Sequence, residues 1–352
     1  MEPLVSILIP AYNAEDWIAE TIRSAIAQTW PRKEIIVVDD GSRDRTAEVA
    51  RRFASKGVAV VCKENEGAAA TRNHALRLSQ GDYIQWLDAD DLLAPHKIER
   101  QLVALREIDS KRILLSSAWA YFHYRTTRAR FVPNSLWQDL SPVEWLLRKM
   151  GEDLYMQTAT WLTSRELTEA AGPWDTRLLS DDDVEYFCRV LLVSEGTRFV
   201  PEARVFYRNT STLNRLSYIG ASDVKKDAMI LSMKLQIQYL RSHEESERVR
   251  KACSTYLESW SAHFYPERPD LLAELQALAV QLQSQLQAPR LRWKYAWMKP
   301  IFGFNAAKWA QILLPLLKSS LVGHWDKVMY QLENHKAVFS HGPEALSVTQ
   351  QD

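Results

Sequence analysis

The chain has 352 residues, 46% hydrophobic and 25% charged, an ordinary composition for a globular protein and enough length for a catalytic domain with an appendage. Lysine plus arginine number 44, as do aspartate plus glutamate, so the zero net charge gives no electrostatic reason to expect a nucleic-acid partner. Three cysteines, Cys62, Cys188 and Cys253, lie far apart without CxxC spacing, which argues against a disulfide framework or a structural zinc. Together with an N-terminus that lacks a basic leader, and whose apolar run stops at Pro10, they predict reduced thiols and a cytoplasmic chain.

Val5 to Ile9 reads as a buried strand closed by Pro10, and Ala14 to Gln28 as a helix whose apolar face carries Trp17, Ile18, Ile22 and Ala25, with Asn13 as its cap. The pattern repeats with a strand over Glu34 to Val38, an Asp39-Asp40-Gly41-Ser42 turn, and a helix over Thr46 to Lys56 with Asp44 as cap. Val58 to Cys62 is a third strand and Ala68 to Leu78 an alanine-rich helix. A fourth strand, from Tyr83, delivers Trp86-Leu87-Asp88-Ala89-Asp90-Asp91. Strands alternating with helices at this spacing predict a parallel sheet with helices on both faces.

Ligands of such sheets sit at the carboxyl ends of the strands, where the connecting loops collect. Three such loops carry Pro10, Tyr12 and Asn13, then Asp39, then Asp88, Asp90 and Asp91. Acids this close repel one another unless they are solvated or share a cation, and a hard divalent ion, Mn²⁺ or Mg²⁺, takes oxygen ligands while keeping places for water and phosphate. An aromatic ring, a carboxylate able to accept an N–H bond, and a metal-binding cluster are what a nucleoside diphosphate requires. Arg72 adds charge compensation. Taken singly, these residues also read as a loop anchor, turn formers and a solvated arginine; their joint order after successive strands is what favours a site.

In the stretches VSILIPAYNAEDWIAETIRSAIAQTWP, EIIVVDDGSRDRT, ENEGAAATRNHAL and GDYIQWLDADDLL, the chain resembles glycosyltransferase family 2, the GT-A fold of nucleotide-sugar transferases. The resemblance is specific over residues 3 to 105 and looser to about 210. It implies a mostly parallel sheet flanked by helices, with Pro10, Tyr12, Asn13, Asp39 and Arg72 in the nucleotide-sugar pocket. Asp88 and Asp90 match the DXD motif, Asp90 as the main metal ligand and Asp88 shared between metal and ribose. Asp91 is the acid expected to return to solvent. No GxGxxG or Walker sequence follows the first strand, which counts against a dehydrogenase or a P-loop kinase.

Beyond residue 110 the expectations are a strand over Ile113 to Ala118, a basic stretch from Phe122 to Val132 with Arg125, Arg128 and Arg130, a capping box at Ser141, and a strand over Thr158 to Thr163. Gly172-Pro173-Trp174-Asp175 and Asp181-Asp182-Asp183 match a GxFD-like element and the family's acidic pair. Counting back from Arg189 puts the pair at Asp182 and Asp183, with Asp183 as the base. Displacement at an anomeric carbon needs a base for the acceptor hydroxyl opposite the leaving diphosphate, and one such displacement inverts configuration.

The resulting expectation is an inverting, metal-dependent transferase with a UDP-sugar donor and a saccharide or lipid-linked saccharide acceptor, in surface polysaccharide or glycolipid assembly. A catalytically silent nucleotide-sugar-binding module or a sugar nucleotidyltransferase is the alternative. The catalytic domain is placed at 1–215, with a nucleotide half to about 110 and an acceptor half over 111–215, and a helical region at 216–352. From Leu275 to Trp325 no acid occurs, while Arg290, Arg292, Lys294, Lys299, Lys308 and Lys318 accompany tryptophans and phenylalanines. Residues 288–325 therefore read either as a peripheral contact with the anionic inner face of a membrane or as a helix packed on the catalytic domain with its tryptophans in the core.

Overall fold

The computed structural model describes residues 2–106, 108, 110–210, 222–287, 291 and 293–340, the last seven by backbone alone. The first half runs β1 (Val5–Ala11), α1 (Ile18–Ile26), β2 (Lys33–Asp39), α2 (Thr46–Arg51), β3 (Val58–Cys62), α3 (Ala68–Leu78), β4 (Tyr83–Trp86), β5 (Leu92–Leu93) and α4 (Lys97–Leu105). The second continues through β6 (Ile113–Phe122), β7 (Arg130–Phe131), α5 (Pro142–Gly151), β8 (Thr163–Ser164), α6 (Arg165–Ala171), α7 (Asp182–Val193) and β9 (Gly196–Arg208). Helices α8 (Asp223–His243), α9 (Glu247–Phe264), α10 (Pro269–Gln281), α11 (Trp293–Ala296) and α12 (Lys299–Ser340) complete the chain.

The main sheet has the order β3-β2-β1-β4-β8, parallel except for β8. Val5, Ile7, Leu8 and Ile9 on β1 are all fully buried, as a strand covered on both faces requires. Strand order reverses between β1 and β4. The crevice at such a reversal is where α/β sheets bind ligands, and it places Tyr12 and Asp88 on neighbouring loops.

A second sheet, β5-β9-β6-β7, carries the later residues and was not expected from the sequence. Its long strand β9 contains Pro201, which lacks a ladder donor, and the β6–β9 register jumps from Ser117↔Val200 to Ala118↔Arg204 to absorb it. Three other expectations need correction. Thr158 to Thr163 is a 3₁₀ turn at Thr158–Thr160 followed by the two-residue β8. The first helix begins at Ile18 rather than Ala14, and Asn13 Oδ1 accepts from Arg43 N instead of capping it. The second helix stops at Arg51 before a short 3₁₀ turn.

The Ser141 cap holds as expected, its side chain accepting from Glu144 N, with Pro142 opening α5. Helices α8 to α10 share one apolar cluster with α5 and α7, in which Trp145, Tyr186, Met229, Leu257 and Leu275 are buried together. The hydrophobic core thus continues past the catalytic sheets, and the boundary expected at 215 falls outside the described residues.

Candidate active site

Trp86, the last residue of β4, lies edge-on to Trp174, whose ring stacks on Tyr186 at 4.0 Å between centroids. This aromatic floor supports Arg72. Its guanidinium sits 4.5 Å from the Trp174 ring, and donates from Nη1 to Asp182 at 2.5 Å and from Nη2 to Asp88 at 3.0 Å. One buried cation therefore joins the first acid of the DXD sequence to the acidic start of α7, residues separated by more than ninety positions. The charge of Arg72 is held more firmly than usual: burial opposes it, but Asp182 and Asp88 prevail.

Asp183 accepts from the Thr158 hydroxyl at 3.0 Å. Burial pushes its carboxyl above the usual aspartate range, with Arg72 opposing. Asp182 is raised to about 6, again chiefly by burial. Asp181, at φ 58°, turns the chain into α7, and its carboxylate accepts from Ser232 at 2.7 Å and Gln236 at 3.0 Å. Helix α8 thereby fixes the backbone from which both candidate bases project.

Asp91 departs from expectation. It is fully buried, accepts from the Arg208 backbone N–H at 2.8 Å and from the Gln157 side chain, and its carboxyl is raised well above the ordinary range by burial. Its role in the fold is to pin the acidic loop to the end of β9. Arg208 holds that loop a second time, donating from Nε to the Asp90 carbonyl at 2.7 Å, and pairs with Glu20 at 2.6 Å. Asp88 and Asp90 remain partly accessible.

On the β1 side, Tyr12 is 46% exposed at the crevice. Asn13 N donates to Ser42 Oγ, which with the Arg43 contact ties the first loop to the second. Asp39 accepts from Ser42 N through Oδ2, while its Oδ1 is buried with no hydrogen-bond partner among the described residues. Pro10 lies in β1, paired with Val38. Asp40 is structural: it accepts from the Glu66 and Gly67 backbone and pairs with Lys63 at 2.6 Å. Gly67, at φ 93°, supplies the left-handed backbone this clasp needs.

Sequence reasoning missed Trp174 as the support of Arg72, Thr158 as the partner of Asp183, and Arg208 as the brace of the acidic loop. Trp174 stands in a motif that was read, but the partners of all three are far away in sequence. A wall of rings, Trp119, Tyr121, Tyr155 and Tyr207, borders the same region, with Trp119 5.0 Å from Tyr121 and 5.1 Å from Tyr155. Arg125, in the basic stretch from Phe122 to Val132, pairs with Asp326 of α12 at 2.6 Å. Arg290 and Arg292 lie outside the described residues. A separate concavity between Pro3, Trp30, Tyr83 and Leu105 opens at the amino ends of the strands, away from these acids.

Residues 6–145 match the family model described as glycosyl transferase family 2. This stretch of the chain, rather than its whole length, is similar to that family. An uncharacterized glycosyltransferase of Rickettsia typhi is 38% identical over 130 residues, covering 37% of this chain and 41% of that protein. The Bacillus subtilis glycosyltransferase TuaG, named for teichuronic acid biosynthesis, is 40% identical over 109 residues, 30% of this chain and 43% of that protein. The alignments thus span less than half the length of these relatives. Among solved structures, Staphylococcus aureus TarS 1–349 in complex with UDP-GlcNAc superposes with a TM-score of 0.64 at 18% identity, covering 87% of this chain and 91% of that one. At that identity the likeness establishes the GT-A fold alone.

Proposed function

We propose that this chain is a family 2 glycosyltransferase, inverting and metal-dependent, that moves a sugar from a nucleotide diphosphate donor, a UDP-sugar by default, to an acceptor hydroxyl. The observation that carries this reading is the Arg72 bridge, which sets Asp88 beside the acidic start of α7 in one cleft. In this reading the Tyr12 ring and the unpartnered Asp39 Oδ1 meet the nucleoside, Pro10 and Asn13 shape that wall, and Asp88 reaches the ribose.

Among the described residues no three His, Cys, Asp or Glu side chains converge on one point. Two partly accessible carboxylates fit Mn²⁺ or Mg²⁺, which complete their shells with phosphate and water. Asp90 and Asp88 would hold the ion, which when bound neutralises charge on the departing diphosphate. Asp183 takes the acceptor proton. Asp182 is less suited, because its carboxylate is already committed to Arg72.

Two outcomes follow. Thorough chelation with EDTA is expected to stop release of UDP from a UDP-sugar, and Mn²⁺ or Mg²⁺ to restore it; unchanged turnover after chelation would refute the metal assignment. A base must be ionised, and burial raises the Asp183 carboxyl above the usual aspartate range. Activity should therefore be lost, as pH falls, at a higher pH than the value of about 4 that an ordinary aspartate would give. An acidic limb of kcat/KM centred near pH 4 would contradict that environment.

The acceptor is proposed to be a saccharide or lipid-linked saccharide, resting against Tyr121, Tyr155 and Tyr207, in surface polysaccharide or glycolipid assembly. TuaG's name supports the polysaccharide sense. Such an acceptor suits a cytoplasmic chain held peripherally at the membrane; among the described residues no helix is long and apolar enough to cross one. The opposing reading, a silent nucleotide-sugar-binding module, predicts binding without UDP release.

A further inference from the structure

Helix α12 breaks its regular backbone at Gly303 (φ 81°) and then continues along the catalytic domain. Four of its polar residues face inward. Lys308 pairs with Glu267 at 2.6 Å, Ser319 accepts from Asn209 at 2.9 Å, Asp326 holds Arg125, and Tyr330 donates to Glu20 at 3.1 Å. These positions recur at spacings of 11, 7 and 4, which are whole turns of an α-helix. The apolar residues occupy the opposite side. Leu314, Leu321, Trp325 and Leu332, at spacings of 7, 4 and 7, are all exposed, Leu321 by 74% and Trp325 by 66%.

This is the reverse of a surface helix, which buries its apolar stripe. The expectation that the tryptophans of this region sit in an ordinary core is therefore not met: Trp293, Trp297, Trp309 and Trp325 are all exposed. Scattered surface leucines need no explanation, but a continuous stripe several turns long marks an interaction surface.

We infer that the outward face of α11 and α12 docks on an anionic lipid bilayer. Charge decides the occupant. The stretch from Leu275 to Trp325 contains no acid, and Lys294, Lys299 and Lys318 are exposed within it. A two-fold dimer through this face would set the same lysine-bearing patch against itself. A bilayer instead offers phosphates to the lysines and an acyl boundary to the indoles and leucines, the composition of a helix lying in the interface plane. The inference deepens the membrane-held transferase proposed above, on which its biological sense rests.

The test is flotation of the full chain with phosphatidylcholine vesicles, with and without about one third phosphatidylglycerol. Wild type is expected to float with the anionic vesicles at low salt and to dissociate by roughly 0.5 M salt as the lysines are screened. Leu317→Asp combined with Leu321→Asp should lower binding at least tenfold with an unchanged melting temperature, because both side chains are exposed. Lys294, Lys299 and Lys318 changed together to Gln should remove the preference for anionic lipid. Absence of flotation, or flotation indifferent to the double aspartate variant, overturns the inference. So does a concentration-dependent dimer that this variant abolishes without any vesicle binding. UDP release from a UDP-sugar with Mn²⁺, read on the same samples, separates the two claims: release without flotation defeats docking alone, and flotation without release defeats the transferase reading alone.

Discussion

Asp183→Asn is expected to lower the kcat of transfer by about 10²- to 10⁴-fold, the usual contribution of a general base, with donor KM nearly unchanged. The side chain keeps its size and can still accept from Thr158 Oγ1, so the start of α7 should hold its shape. What is lost is the ability to take a proton. Asp182→Asn should behave differently, because Asp182 shares the Arg72 guanidinium with Asp88; its effect should fall on melting temperature and donor KM as well as kcat. If Asp183→Asn retained near-wild-type turnover while Asp182→Asn abolished it at normal donor affinity, the two roles would have to be exchanged.

Arg72→Ala carries the second large effect. It leaves Asp88 and Asp182 without their shared cation and opens space above Trp174. Breaking a buried ion pair by removing one partner costs about 3–5 kcal/mol, much of it from the charge left behind, which corresponds to a fall in melting temperature on the order of 10 °C. Arg72→Lys should recover only part of this, since a single ammonium cannot reproduce the guanidinium's planar fork to two carboxylates. Mn²⁺ should stabilise the alanine variant more than wild type, because the unbalanced acids gain a replacement cation. A melting temperature within about 2 °C of wild type would remove the bridge from the account of the site.

The sequence was most informative where structure is local. The alternation from β1 to β4 is carried by short apolar runs and the helices between them, and the three loops were legible because each follows its strand directly. Non-local partners set the rest. Asp91 looks like any surface acid beside Asp90, and its burial depends on Gln157 and Arg208, which lie 66 and 117 residues away. The acid-free, aromatic character of residues 275–325 was visible, but the way α12 faces is set by Glu267, Asn209, Arg125 and Glu20, which are distant in sequence. Strand β9 was hidden by Pro201 and the charges around it, which the register jump accommodates.

The central claim is that Asp88 and Asp90 hold a divalent cation together with a nucleoside diphosphate at the carboxyl ends of β1 and β4. Calorimetric titration of UDP into the full chain, with Mn²⁺ and with EDTA, tests it most directly, run in parallel on Asp90→Asn. One-to-one binding that needs Mn²⁺ and weakens at least tenfold in the variant is the predicted result. Equal affinity with and without metal in both proteins, or no binding of UDP or of any other nucleoside diphosphate, would contradict the claim.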